Sequence, residues 1–226
     1  LIIDMVRKAN SGHSGGPMSS ADFTQILFNE YLNYDPNNPD WFNRDRFVLS
    51  AGHESALIYA ILYQIGWLNK EDISNFRQLH SNTPGHPEVE ITGIEATTGP
   101  LGQGFAMGVG MAFAEAYLSE ITKLDEEGTK LVDHYTYVLA TDGDLQEPVA
   151  LGAAAIAGHL GLKKLVVYYD ANDAQISGKV SRSDSVDYAT VFDGLGWNVQ
   201  TIDGHDHSAM HFAIETAKVM DKPSII

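Results

Sequence analysis

The chain has 226 residues, of which 44% are hydrophobic and 19% are charged, so it is long enough for one large folded domain and is neither disordered nor collagenous in composition. Its formal net charge of −16 disfavours nucleic acid and anionic membrane surfaces as partners, because both are negatively charged. The absence of cysteine excludes disulfides and thiolate metal sites, and with no membrane-length apolar run or signal-peptide pattern we expect a cytoplasmic protein.

Apolar runs alternate with stretches of helical spacing along the chain. The first residues, LIIDMVRKA, predict the interior of a helix, and the last, DKPSII, the start of a buried strand, so we expect a piece of a longer polypeptide. Between them, strands are predicted at 46–50, 134–141, 164–170 and 197–204. Helical spacing follows in SALIYAILYQIGW, PVALGAAAIAGHLG and SAMHFAIETAKVM. This order predicts an α/β fold with a mainly parallel sheet covered by helices on both faces.

Polar residues follow every predicted strand, in the segments AGHES, TDGD, DAND and DGHDH. Ligands of open parallel sheets bind beyond the carboxyl ends of the strands, where these turns lie. Polar turns commonly follow apolar strands, but the recurrence of His, Asp and Asn at one edge favours a site. The irregular segment 79–100 is long for a loop, which is typical of functional or disordered segments.

Asp142 and Asn172 end two consecutive predicted strands joined by one helix. If those strands are adjacent and parallel, the two side chains converge. Carboxylate and amide oxygens suit Mg²⁺ or Ca²⁺ rather than zinc, and Gly143 leaves room for a phosphate at its backbone N–H. The spacing therefore indicates a metal-bridged diphosphate site, with ordinary turn residues as the alternative.

Three histidines each follow a glycine: His13, His53 and His86. A glycine at that position lets the backbone turn tightly and the imidazole project into a cleft. Any one of them could be a surface or core histidine, but three with the same signature favour proton transfer, for which the ordinary pKa of histidine is suited.

Three other segments are weaker signals. The segment 102–108 (GQGFAMG) resembles a dinucleotide fingerprint but follows no clear strand, so we interpret it as a tightly packed helix start. The segment 205–207 (HDH) is interpreted as a turn and a helix start rather than a metal site, and the acidic segment 125–128 as an exposed loop.

Several longer strings resemble the transketolase family, in order and over essentially the whole chain. They are KANSGHSGGPMS, NYDPNNPDWFNRDRFVLSAGH, NFRQLHSNTPGHPE, TTGPLGQGFAMGVGMAFAEA, IAGHLGLKKLVVYYDAN and WNVQTIDGHD, together with DGDLQE and YDAND of the thiamine-diphosphate motif. The resemblance implies that residues 1–226 form a single N-terminal diphosphate-binding domain. The pyrimidine-binding and C-terminal domains of the family are absent from this chain.

The resemblance also implies a role for individual residues. Metal ligands would be Asp142, Asn172 and the backbone carbonyl of Ala174. Asn172 and five further positions would contact thiamine diphosphate: His53, Gly99, Pro100, Leu101 and Gly143. His13 and His86 would lie in the substrate channel, and Glu147 would link the two active sites of a dimer. The implied activity is a Mg²⁺-dependent transfer of a two-carbon ketol group between sugar phosphates in the pentose phosphate pathway.

The chain departs from the family pattern in three places. Thr141 replaces the first glycine of the diphosphate motif, GHSGG replaces the usual Gly-His-Pro-Gly, and Pro148 follows Glu147 where glycine is commoner. Alternatives are a dihydroxyacetone synthase, an E1 component of a 2-oxo acid dehydrogenase or a non-catalytic partner subunit. A nicotinamide-dependent dehydrogenase is a further alternative, which the poor glycine fingerprint disfavours. Activity would in any case require a pyrimidine-binding domain, from a homodimer or from a partner chain.

Overall fold

A computed structural model describes residues 1–122, 129–175 and 178–226. The acidic segment 125–128, predicted to be an exposed loop, lies outside the described residues. Within the described ranges, none of the helices combines the length and the apolar character that crossing a membrane requires.

Five parallel strands form the central sheet, in the order β1-β2-β3-β7-β6. The strands are β1 (Arg46–Leu49), β2 (Thr136–Thr141), β3 (Leu165–Asp170), β6 (Asn198–Val199) and β7 (Ser224–Ile225), with a separate antiparallel pair of β4 (Ala174–Gln175) and β5 (Gly178–Lys179). The helices are α1 (Ile2–Ala9), α2 (Gly15–Ser19), α3 (Ala21–Ile26), α4 (Ser55–Gln64), α5 (Lys70–Ser74), α6 (Gln103–Ile121), α7 (Asp142–Leu145), α8 (Pro148–Leu160), α9 (Tyr188–Gly194) and α10 (His207–Val219).

Helices cover both faces of the sheet, as predicted. Alternate residues of each strand point to opposite faces, so Leu139 joins a core with α1, α3, α4 and α10, while Val138 joins a second core with α6, α8 and α9. The α/β class with a mainly parallel sheet is therefore confirmed.

The last predicted strand is much shorter than expected. The pattern at 197–204 predicts a strand of eight residues, but β6 contains only Asn198 and Val199. The reason is local: the Asp203 carboxylate accepts a hydrogen bond from the backbone N–H of His205, and Asp206 caps the N-terminus of α10. The backbone N–H of Gln200 still donates to Ile225 of β7, but further along these side chains satisfy the backbone within a turn.

Trp197 anchors the core between the sheet, α8 and α9. Its side chain is fully buried, its ring packs on Phe105 and Phe192, and its indole N–H donates to the carbonyl of Ala154 at 2.9 Å. We expect Trp197→Phe to lower the free energy of unfolding by about 1–3 kcal/mol, because the hydrogen bond and part of the buried ring are lost. Trp67→Phe is the control, since Trp67 also donates an indole hydrogen bond, to Pro36, but at a more exposed site. Equal losses in urea denaturation of the two variants would contradict this role.

Candidate functional site

The ends of β2 and β3 bring the first predicted pair together. The two strands are adjacent and parallel, with Thr141 opposite Asp170, so Asp142 lies beside the turn that carries Asn172 and Ala174. The backbone N–H of Asp173 donates to the Asp142 carboxylate. The convergence predicted from the spacing is therefore present in the fold.

The Asp142 carboxylate has the properties of a cation ligand. Its Oδ1 accepts a hydrogen bond from the Tyr169 hydroxyl, whereas its Oδ2 is buried and has no hydrogen-bond partner among the described residues. Burial raises the pKa of Asp142, and the charges of Asp170 and Asp173 raise it further, against the lowering effect of the Tyr169 hydrogen bond. A divalent cation would offset both effects and satisfy the free oxygen.

Asn172 and Ala174 share one turn. The Asn172 amide donates to Asp170 at 3.0 Å, and its carbonyl oxygen accepts from the backbone N–H of Ala174 at 3.0 Å. With Asp142, this turn offers carboxylate, amide and backbone carbonyl oxygens, which suit Mg²⁺ or Ca²⁺. No cluster of three or more His, Cys, Asp or Glu arranged for a metal occurs in the described ranges. A site here would therefore depend on the amide and carbonyl oxygens as well as on one carboxylate.

Asp144 holds the neighbouring backbone in place. It is fully buried, and its Oδ1 accepts hydrogen bonds from the Ser50 hydroxyl and the backbone N–H of Gly102, both at 2.7 Å. Its Oδ2 accepts from the backbone N–H and hydroxyl of Thr141. Thr141 is the N-cap residue of α7, and its two bonds to Asp144 give the residue at the position of the missing motif glycine a structural role.

The loop 99–102 packs tightly against the segment that follows the predicted metal ligand Asp142. A Cβ atom at Gly143 would lie 2.8 Å from Cδ1 of Leu101, and one at Gly102 would lie 2.7 Å from Cβ of Glu147. Gly102 also has a φ of 76°, which favours glycine. Leu101, Gly143 and Glu147 are therefore close together, with Pro100 exposed beside them.

The three predicted histidines also converge. The rings of His13 and His53 meet edge to face, with centroids 4.9 Å apart. A Cβ atom at Gly99 would lie 3.3 Å from the ring of His86, which places that histidine at the loop 99–102. Burial lowers the pKa of His53, and the charges of His13 and His86 lower it further, while Asp144 opposes them. The pKa of His86 is lowered by burial, by Arg77 and by His13.

This convergence predicts a measurable coupling between two histidines. We expect His13→Asn to raise the pKa of His53 towards 6.5, because a nearby positive charge is removed. The same lowered pKa makes the free energy of unfolding fall as the pH drops from about 6.5 through the folded-state value. An NMR titration of the imidazole resonances measures the first effect, with His159→Asn on the exposed side of α8 as control. A pKa of His53 that His13→Asn leaves unchanged would contradict the contact.

Two acidic side chains at the site were not among the predicted residues. Asp170 is buried and accepts hydrogen bonds from the hydroxyls of Ser19 and Ser20 and from the Asn172 amide. Glu54 is buried beside Gly16, directly after His53. The sequence signal that could have identified Glu54 is a glutamate inside the turn AGHES, at the start of an apolar helix.

Other features of the described chain lie apart from these residues. A cavity of about 350 Å³ lies at the ends of β3, β6 and β7, lined by Tyr169, Tyr188 and Gln200 among others, and none of the predicted site residues lines it. His207 begins α10, and His205 lies 3.1 Å from Asp22, in agreement with the interpretation of HDH as a turn and helix start. A loop rather than a strand precedes α6, so the segment 102–108 lacks the context of a dinucleotide site.

Comparison with known proteins decides the family. The family profile described as "Transketolase, thiamine diphosphate binding domain" matches residues 1–226. The chain belongs to this transketolase family. The transketolase of Staphylococcus aureus (strain MW2) is 51% identical over 228 residues, which cover 100% of this chain and 34% of that protein. The chain therefore spans about a third of the length of the curated transketolases that it matches.

Solved transketolase structures share the fold. That of Leishmania mexicana superposes with a TM-score of 0.96 at 42% identity, covering 100% of this chain and 34% of the other. That of Pichia stipitis in complex with sedoheptulose 7-phosphate superposes with a TM-score of 0.92 at 38% identity, covering 99% of this chain and 33% of the other. The thiamine-diphosphate-binding fold expected from the sequence motifs is confirmed.

Proposed function

We propose that the full-length protein containing this chain is a transketolase of the pentose phosphate pathway in the cytoplasm. It transfers a two-carbon ketol group from a ketose phosphate to an aldose phosphate. The observation that carries the proposal is the meeting of Asp142 with the Asn172 turn, next to three converging histidines, in a chain 51% identical to a transketolase. Residues 1–226 act as one diphosphate-binding domain, and the pyrimidine-binding and C-terminal domains lie elsewhere.

In this proposal Asp142, Asn172 and the carbonyl of Ala174 hold Mg²⁺, with Ca²⁺ as a possible substitute. The unpartnered Oδ2 of Asp142 and the all-oxygen donor set support this assignment. A divalent cation held by these residues would offset the repulsion between a diphosphate and the acidic side chains around it. Gly143 and the residues Gly99, Pro100 and Leu101 of the loop 99–102 enclose the cofactor, and the close approach of Gly143 to Leu101 supports that role.

Thiamine diphosphate supplies a nucleophilic thiazolium carbon and an electron sink when it is bound. The histidines of this chain then bind and move protons. The lowered pKa values of His53 and His86 keep their imidazoles neutral at neutral pH, so that each can accept a proton or a hydrogen bond from a hydroxyl. We assign His13 and His86 to the oxygens of the donor ketose and His53 to the diphosphate. A sugar phosphate bound to the Pichia stipitis relative supports this substrate class.

The activity requires a second chain or domain. A homodimer, or a partner chain, would bring the pyrimidine-binding domain to the loop 99–102. Exposed apolar side chains on the neighbouring helices α6 and α8 support such an interface; they are Met107, Phe113, Tyr117 and Ile121, followed by Val149, Ile156 and Leu160. Glu147 is exposed at the start of α8, beside this surface, where a carboxylate could reach across a dimer.

The experiment is a ketol-transfer assay of the full-length protein with xylulose 5-phosphate and ribose 5-phosphate. We expect sedoheptulose 7-phosphate to form only when thiamine diphosphate and Mg²⁺ are present. No transfer by a folded, dimeric, cofactor-loaded protein would overturn the proposal. Transfer from xylulose 5-phosphate to formaldehyde would then indicate a dihydroxyacetone synthase, and acyl transfer from a 2-oxo acid to lipoamide an E1 component. Inactivity with every donor and acceptor would indicate a partner subunit.

A further inference from the structure

Glu54 occupies a space that exists only because residue 16 is glycine. A Cβ atom at Gly16 would lie 1.7 Å from Oε1 of Glu54, so any larger residue there would displace the carboxyl group. The Glu54 side chain is 1% exposed, and its Oε2 is buried without a hydrogen-bond partner among the described residues. The carboxyl group of Glu54 is therefore packed directly against Gly16, and one of its oxygens lacks a hydrogen bond.

The neighbouring carboxylates are in a different situation. Asp144 accepts four hydrogen bonds, and Asp170 accepts three on one oxygen. Glu54 differs from both, because its Oε2 is buried and receives no hydrogen bond from the described residues. The titratable groups that face Glu54 are Asp170 and Tyr168 of β3 and Asp144 of α7. Of these carboxyl groups, Glu54 is therefore the one with a buried oxygen that lacks a donor.

The electrostatics agree with this geometry. Burial raises the pKa of Glu54 to about 8, and the negative charges of Asp170 and Asp144 contribute. At neutral pH the group is then mostly a neutral carboxylic acid. Burial of an ionised carboxylate would cost far more unless a cation stood beside it.

Glu54 is also connected both to the predicted site histidines and to the neighbours of the predicted metal ligands. It directly follows His53, and its partner Gly16 belongs to the turn that carries His13. Asp144 and Asp170 are each two residues from Asp142 and Asn172, the predicted metal ligands. Glu54 is thus adjacent to a predicted site histidine in the chain and interacts electrostatically with Asp144 and Asp170, which flank the predicted metal ligands.

We propose that Glu54 is a proton-carrying residue of the cofactor site, a neutral acid in the cofactor-free protein that releases its proton when the cationic thiazolium ring binds beside it. The O–H bond of the carboxyl group breaks, the proton passes to solvent, and the positive charge of the ring would stabilise the carboxylate that remains. This inference rests on the proposed function, because it requires that the site takes thiamine diphosphate. Gly16 provides the space in which the carboxylate forms.

The test is calorimetric titration of thiamine diphosphate into the full-length, Mg²⁺-saturated protein at pH 7, in two buffers of different ionisation enthalpy. A group with a pKa of about 8 is about nine-tenths protonated at that pH, so the wild type should release up to about one proton more per site than Glu54→Gln. Glu71→Gln, an exposed glutamate of α5, should release as many protons as the wild type. The thiazolone analogue of the cofactor, whose ring is uncharged, should release fewer than thiamine diphosphate.

Three outcomes separate the possibilities. Binding with equal proton release by the wild type and Glu54→Gln would overturn this inference alone. No binding of thiamine diphosphate by the wild type would overturn the proposed function and this inference together. If Glu54→Gln does not fold, infrared difference spectra of the wild type replace it: a protonated-carboxyl band should disappear on cofactor binding, and its persistence would overturn the inference.

Discussion

Asp142→Ala is expected to abolish metal-dependent cofactor binding while leaving the fold intact. Removal of a residue that only supports a metal ligand typically costs 10–100-fold in affinity, so loss of a direct ligand should cost at least about a hundredfold. Folding should not suffer, because Asp142 contributes a buried carboxylate with a raised pKa and one unpartnered oxygen. The cofactor-free variant should unfold at the same temperature as the wild type or higher.

Two measurements check this prediction. Titration of thiamine diphosphate with and without Mg²⁺ gives the affinity, and thermal denaturation of the cofactor-free protein gives the stability. Asp193→Asn, on the exposed side of α9, is the control and should match the wild type in both. Mg²⁺-dependent binding that survives in Asp142→Ala would show that the metal lies elsewhere.

Asp144→Ala should have the opposite profile, with a large loss of stability. The change leaves the Ser50 hydroxyl, the Gly102 N–H and both donors of Thr141 without their buried acceptor. Unsatisfied buried donors cost about 1–3 kcal/mol each, and because some will find water we expect a total loss of roughly 3–5 kcal/mol in the free energy of unfolding. Cofactor binding should weaken as well, since the start of the loop 99–102 is no longer held.

Asp144→Asn makes the test sharper. It keeps one oxygen for Ser50 and Gly102 but turns an amide NH₂ towards the N–H of Thr141, so its loss of stability should be intermediate. Asp187→Ala is a matched control, because Asp187 also caps a helix but is exposed, so its loss should be much smaller. Urea denaturation gives all three values. A loss in Asp144→Ala no larger than that in Asp187→Ala would contradict its structural role.

Asp142 and Asp144 show which properties a sequence motif can predict and which it cannot. Both belong to DGD, and the spacing of Asp142 from Asn172 was sufficient to predict a cation site. The same spacing carries no information on Asp144, whose four donors come from Ser50 directly after β1, from the loop before α6 and from Thr141. Its function as a structural acceptor became visible only when these distant segments were brought together.

The three histidines and Glu54 show the same contrast between a local sequence signature and a contact made only in the fold. A Gly-His signature is local, so His13, His53 and His86 could be singled out separately, but the ring contact between His13 and His53 joins residues forty positions apart. The interlocking of Gly16 with Glu54 depends on how α2 packs against α4, and no pattern of spacing encodes it.

The sequence by itself determined the class of fold, the strand ends at which polar residues collect, and the family motifs, because hydrophobic periodicity and short motifs are local properties of the chain. It overestimated β6, because side-chain hydrogen bonds of Asp203 and Asp206 compete with the ladder. Only the tertiary structure decided which carboxyl groups receive hydrogen bonds and which, like Glu54 and Asp142, keep a buried oxygen without a partner among the described residues. The physical reason is that ionisation depends on burial and on neighbours supplied by remote parts of the chain, and packing alone sets both.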